Sequence, residues 1–207
     1  MTARFIAGYS LALLATLVSV FFFDRALAEW AEDHQLRGAF FEALTWGPDI
    51  FQAIVAIALL ACLKKTWREK IGHISAQLFT TLILAWIVRL FTKYAFGRTW
   101  PDTWKNNNPS WLDNGIEGFF PFQSGVAYDS FPSGHAVVTF ALATILWRWI
   151  PAYRWLWALL SGLLIIGMLG QYYHYLGDLL AGAMLGTLCG HTVLALEPRV
   201  KYFRKVA

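Results

Sequence analysis

Three short polar stretches interrupt an otherwise apolar chain: KYAFGRTWP at 93–101, SFPSGHA at 130–136 and HYLGD at 174–178. They carry one lysine, two histidines and one carboxylate in types and spacings that can do chemistry. His174 and Asp178 are four residues apart, so on a helix or at its end they share a face. A carboxylate beside an imidazole fixes its tautomer and raises its basicity. Pro132, Ser133 and Gly134 stand directly before the apolar run VVTFALATILWRWI, which reads as a helix mouth with Ser133 as N-cap. Such an end offers free N–H groups and a positive dipole end to an anion, and Gly134 lets anion oxygens reach the backbone. Lys93 adds a charge. The set suits phosphoryl transfer: one histidine, oriented by Asp178, attacks phosphorus, and the other protonates the leaving oxygen and later activates water. The scheme calls for no metal and no cofactor, and two histidines with one nearby acid and no cysteine make a poor zinc set. Singly, each residue has a plainer reading: Lys93 as a snorkelling side chain, His174 bonded to a carbonyl, Asp178 as a cap. Their joint placement favours the chemistry.

The elements that must position them are membrane helices. Of 207 residues, 57% are hydrophobic and 14% charged, where a soluble domain carries about a quarter charged; the mean hydropathy is +0.47. Many of the 11 Trp sit at the edges of apolar runs, as in an interfacial belt. Six segments approach the ~20 apolar residues of a crossing: 5–23, 49–63, 74–92, 134–150, 155–174 and 177–196. The second is short unless it begins near Phe40. Residues 27–44 carry a ragged stripe, Leu27, Trp30, Leu36, Phe40 and Leu44, expected as a helix lying in the interface. The first segment is followed by Ala26-Leu27-Ala28, the small-residue pattern of a signal cleavage site, and is read here as a retained membrane helix. Cys62 and Cys189 lie in separate apolar runs and read as packing residues. Gly182, Gly186 and Gly190, spaced by four, mark a close helix contact in the last segment.

The fold class expected is therefore all-α: one polytopic domain over 1–207, six transmembrane helices in a bundle, with the polar motifs (93–178) on the outer face. Arg4, Lys64, Lys65, Arg68, Lys70, Arg148, Arg154, Arg199, Lys201, Arg204 and Lys205 fall on one side if all six segments cross. Arg25, Arg37, Lys93, Arg98 and Lys105 fall on the other, with most of the acids. The asymmetry places both termini in the cytoplasm, in a bacterial-type inner membrane. The net charge of +4 is explained by this distribution and does not call for a nucleic acid partner.

The three motifs in this order resemble the type 2 phosphatidic acid phosphatase superfamily, membrane lipid phosphatases related to vanadium haloperoxidases, whose pattern is Lys-x6-Arg-Pro, Pro-Ser-Gly-His and Ser-Arg-x5-His-x3-Asp. The resemblance covers about residues 74 to 190. It implies His174 as the nucleophile that becomes phosphohistidine, Asp178 as its orienting group and His135 as general acid and then base. It also implies phosphate binding by Lys93 and the Ser133-Gly134 backbone, six helices and an outward-facing site. Two family arginines are absent: Trp100 stands before Pro101, and Gly167-Met168 replace Ser-Arg. Arg98 is expected to fill the gap, because Gly97 and Pro101 make an extended turn and residues two apart in it share a face. Arg89, one helical turn before Lys93, is the second choice, and Gln171 a neutral donor.

Loop 102–129 is long enough to serve as a cover over a lipid headgroup or as a structured loop packed on the helices. The activity expected is metal-independent hydrolysis of a phosphorylated or diphosphorylated membrane lipid: an isoprenyl diphosphate, a phosphatidate-type glycerolipid or a phosphorylated glycolipid. The alternatives are transfer of the phosphoryl group to another lipid, and a non-catalytic lipid-binding or lipid-moving protein on the same scaffold. Apolar helices carry no code for the lipid tails or for the oligomeric state.

Overall fold

A computed structural model describes residues 3–104 and 107–196; Lys105, Arg199, Lys201, Arg204 and Lys205, used above for orientation, lie outside them. The described chain is helical, with isolated bridges only in the long loop. Helix α1 (Ala3–Val18) passes through a π-helical turn at Ser19–Phe23 into α2 (Asp24–Asp33) without a break. Five stretches are long and apolar enough to cross a membrane: Ala3–Asp33, Ala39–Ala61, Lys65–Phe96, Pro151–Gly170 and Leu176–Ala195.

The expected interfacial helix is corrected by this division. Leu27 and Trp30 continue the first helix, since no Gly or Pro stands between Asp24 and Asp33. The chain turns at Gln35, whose φ is +49°, and Phe40 and Leu44 fall in α3 (Ala39–Leu44), which leads directly into α4 (Gly47–Ala61). The second crossing does begin near Phe40. Helix α5 (Lys65–Phe96) is a single element of 32 residues, roughly 48 Å at 1.5 Å per residue. It ends at Gly97, whose φ is +56° and where a Cβ would stand 1.9 Å from the Phe120 carbonyl oxygen. Only glycine closes the helix and turns the chain toward the loop there.

The expected crossing at 134–150 is α7 (Gly134–Trp149), following the short α6 (Trp111–Asn114). Its 16 residues fall short of a full crossing, but ten of them are buried. It is the central helix, packed against α4, α5, α8 (Arg154–Gly170) and α9 (Leu176–Ala195). Its lower part joins the main core, where Val138, Leu142, Ile145 and Leu146 meet Phe51, Val55, Leu78, Trp157 and Val193. The α7–α9 contact is backbone to backbone. A Cβ on Gly186 would lie 2.3 Å from the Val137 carbonyl oxygen, and one on Gly182 2.6 Å from that of Ser133. The glycine stripe thus packs α9 onto α7, bringing the end that carries Asp178 against the end that carries His135. Cys62 and Cys189 are free thiols.

Candidate active site

The starts of α7 and α9, the end of α5 and the long loop meet at one end of the bundle around a cavity of about 480 Å3. It is lined by Arg89, Lys93, Trp100, Asp129, Gly134, His135 and His174 among others. A larger cleft of about 1350 Å3 opens at the other end of α7, between Phe140, Trp147, Trp157 and His191. Its histidine is bonded to the Tyr9 hydroxyl at 2.8 Å, and its walls are mainly apolar. Convergent titratable groups belong to the smaller cavity.

Ser133 caps α7, its hydroxyl accepting the Ala136 N–H at 3.4 Å, while its own N–H donates to the Asp178 backbone carbonyl at 3.0 Å. This second bond ties the two helix starts together. His135, in the first turn of α7, is exposed to the cavity. Its ring centroid is 6.2 Å from that of His174, at 67° between planes. His174 sits between α8 and α9 and is 3% exposed. Its Nδ1 faces Asp178 Oδ2 at 3.4 Å, which leaves Nε2 for the cavity. Trp100 packs against the His174 ring with centroids 5.1 Å apart. Burial lowers the His174 pKa, against the Asp178 carboxylate, which pulls it upward. A neutral imidazole held at Nδ1 is the form a nucleophile needs.

Asp178 is fully buried and accepts four donors. Oδ2 takes the Ser130 hydroxyl at 2.6 Å, the Tyr175 N–H at 3.1 Å and His174; Oδ1 takes Arg98 at 2.8 Å. The carboxylate's orientation is thus over-determined, and with it the histidine's.

Lys93 is buried, donates from Nζ to the Asp129 backbone carbonyl and lies 5.4 Å from the centre of the Trp100 ring. The structure therefore brings Lys93, Gly134, His135 and His174 around one cavity, with Ser133 and Asp178 directly behind it.

Arg98 is elsewhere, and its expected place at the phosphate is corrected. Its side chain has no exposure and does not line the cavity. One terminal nitrogen donates to Asp24 at 2.7 Å and to Asp178 at 2.8 Å, while Nε and the other donate to Glu117 at 3.1 and 2.8 Å. Burial opposes this charge, but Asp178 and Asp24 outweigh it and raise the Arg98 pKa. Three carboxylates take four of its five N–H donors, and the side chain is sealed from the cavity. Asp24 enters from the π-turn at the head of α2, where it also accepts the Ser19 hydroxyl at 2.6 Å and the Gly177 N–H at 2.8 Å. Gln171 is likewise committed, donating to the Gly38 carbonyl at 2.6 Å.

The two missing family arginines have structural replacements. Trp100 fills the first position as an aromatic wall, its indole N–H bonded to the Val126 carbonyl at 2.6 Å. Met168 is buried among Ala136, Leu164 and Leu179. At Gly167 a Cβ would stand 2.8 Å from the Phe41 carbonyl oxygen, because α3 packs there. The described part of the loop, 102–104 and 107–129, contributes Trp104, Val126 and Asp129 to the cavity. Among the described residues no group of three or more His, Cys, Asp or Glu side chains is placed to hold a metal ion.

The sequence model of the PAP2 superfamily matches residues 75–202. A lipid A 1-phosphatase of Rhizobium etli is 32% identical over 131 residues, which is 60% of this chain and 53% of that protein. One of Rhizobium johnstonii is 31% identical over 131 residues, 60% of this chain and 50% of the relative. The chain thus spans about half the length of these two relatives. Among solved structures, the transmembrane PAP2-type phosphatidylglycerolphosphate phosphatase of Bacillus subtilis aligns with a TM-score of 0.53 at 16% identity, over 93% of this chain and 96% of that one. The two chains share a fold.

Proposed function

The chain belongs to the PAP2 superfamily, and we propose that it is a membrane lipid phosphatase working through a phosphohistidine. The observation that carries the reading is the facing pair His135 and His174, 6.2 Å apart across a cavity with Lys93 and the α7 N-terminus on its wall. Nε2 of His174 attacks phosphorus while the bond to the leaving oxygen breaks, and His135 in its protonated form delivers a proton to that oxygen. His135, now neutral, takes a proton from water. The hydroxide displaces Nε2 from phosphorus, releasing inorganic phosphate and restoring His174. Asp178 holds Nδ1 throughout and stabilises the positive charge on the ring. Lys93 and the first backbone amides of α7, at Gly134 and His135, meet the charge on the phosphoryl oxygens; the Ser133 amide, expected to share this role, is taken by the Asp178 carbonyl. The proton transfers and the attack on phosphorus are carried by the two histidines.

The cavity sits where the helices end, so a headgroup enters it while the tails stay in the bilayer. We place a phosphorylated glycolipid first among the substrates, on the names of the two relatives, ahead of a glycerolipid phosphate or an isoprenyl diphosphate. We count α7 as a sixth crossing, because its neighbours enclose it. Both termini then share one side. Lys64, Lys65, Arg68 and Lys70 at the start of α5, Arg148 in the last turn of α7 and Arg154 at the start of α8 lie at the helix ends remote from the cavity. The positive-inside rule makes that side cytoplasmic and the cavity periplasmic in a bacterial inner membrane.

Purified protein in detergent, offered a phosphorylated glycolipid, dioctanoyl phosphatidate and a prenyl diphosphate with chelator present, tests the reading. Release of phosphate from at least one supports it. Release from none, under conditions where the protein is folded, contradicts it.

A further inference from the structure

We infer that Arg89 is the guanidinium that grips the substrate phosphate here, standing in for both arginines of the family pattern. The inference rests on the phosphatase reading above. Arg89 lies one turn before Lys93 on α5, and both side chains line the cavity with His135 and His174. Its Nε is buried and has no hydrogen-bond partner among the described residues, and a buried donor left unpaired points to a missing acceptor. At Gly134, the first residue of α7, a Cβ would stand 2.7 Å from Arg89 Nε and 2.8 Å from Cδ. Only glycine admits the arginine so close to the α7 start, which carries the helix's free backbone amides. The guanidinium carbon lies 4.5 Å from the centre of the Trp86 ring, and stacking of this kind sets the plane of the fork.

The other cations cannot take the role. Arg98 is consumed by Asp24, Glu117 and Asp178. Lys93 donates to the Asp129 carbonyl and offers a point charge, not a planar pair of donors. Two acids, Asp49 and Asp129, also line the cavity. A phosphoryl group with two charged oxygens meets Nε and a terminal N–H together.

The test uses the full-length protein in detergent, with dioctanoyl phosphatidate or whichever lipid of the panel it hydrolyses, and orthovanadate as phosphate mimic. Arg89→Ala is expected to lower kcat/KM by about ten- to a hundredfold, the range of hydrogen bonds to a charged group. Vanadate inhibition should weaken by a similar factor at an unchanged melting temperature. Arg89→Lys should recover only part, and added guanidinium should restore part of the Arg89→Ala activity. If Arg89→Ala melts early, Gly134→Ala supplies the second arm. Its methyl displaces the guanidinium without removing the charge, and its effect should be less than additive with Arg89→Lys. Wild-type kcat/KM and vanadate inhibition in Arg89→Ala, or full additivity of the pair, would overturn the inference. A wild-type protein that releases no phosphate, yet binds vanadate in an Arg89-dependent way, would sink the phosphatase reading and leave this site standing.

Discussion

Arg98 and Asp178 meet at 2.8 Å with neither side chain exposed, on the carboxylate oxygen opposite the one that faces His174. The arginine therefore works behind the site. It fixes Asp178 and, through Asp24, ties the N-terminal helix, which lies outside the family match at 75–202, to the start of α9.

Removing that guanidinium leaves three buried carboxylates facing one another. Arg98→Ala is expected to destabilise the protein by about 3–5 kcal/mol, the cost of breaking a buried ion pair from one side. Arg98→Lys should rescue little, because one ammonium cannot span Asp24, Glu117 and Asp178. Thermal melts in detergent check both. A variant that melts like wild type but loses vanadate inhibition would return Arg98 to the phosphate.

The helix contact makes a separate prediction. Gly186→Ala should destabilise by about 1–3 kcal/mol, as overpacking does, since its Cβ would press on the Val137 carbonyl oxygen at 2.3 Å. Gly162→Ala on α8 has nothing within 4 Å of the new methyl and should be neutral or slightly stabilising. Paired melts decide it, and equal melting of the two variants would count against the close α7–α9 packing.

What was legible in the sequence follows the range of the interactions. Pro-Ser-Gly-His and His-x3-Asp are local, so the helix mouth, the cap at Ser133 and the His174–Asp178 pairing could be read from neighbours along the chain. The glycine stripe of α9 was readable for the same reason. The partner of Arg98 was not. Asp24 lies 74 residues away and Asp178 80, and no periodicity connects them. Two-residue alternation in an extended turn points Arg98 toward the phosphate, but pairing with buried carboxylates takes the side chain behind the site instead. Arg89 sits in an unbroken apolar helix, where it read as a possible neighbour of Lys93. Its approach to Gly134 exists only once α5 is packed against α7. The division of 27–44 was missed because the break at Gln35 carries no glycine or proline of its own.

Acid should act through His174. Its pKa lies below the ordinary value of about 6.5, so the ring stays neutral, and able to attack, as pH falls through 6.5. It protonates only at lower pH. The acid limb of kcat is thus expected below about 6.5. The stability change has the same sign: the unfolded chain binds the extra proton first, so this residue costs stability as pH drops from 6.5 toward the lowered value. A pH series of kcat with a limb at or above 6.5 would contradict the buried, neutral nucleophile.

Topology can be read by thiol labelling. A cysteine at Asn107, in the loop over the cavity, should react with an impermeant reagent from outside, while one at Thr66, at the start of α5, should be protected until the membrane is opened. The reverse pattern would turn the cavity toward the cytoplasm.

The central claim is a covalent phosphoryl group on His174, and rapid acid-free quenching with a lipid substrate carrying radiolabelled phosphate measures it directly. The account predicts a labelled protein whose label is acid-labile and alkali-stable, persists with chelator present, maps to the peptide containing His174 and is absent in His174→Ala. His135→Ala should still accept label from an activated ester and release it slowly. Label on another residue, or unaltered phosphate release by His174→Ala, would contradict the account.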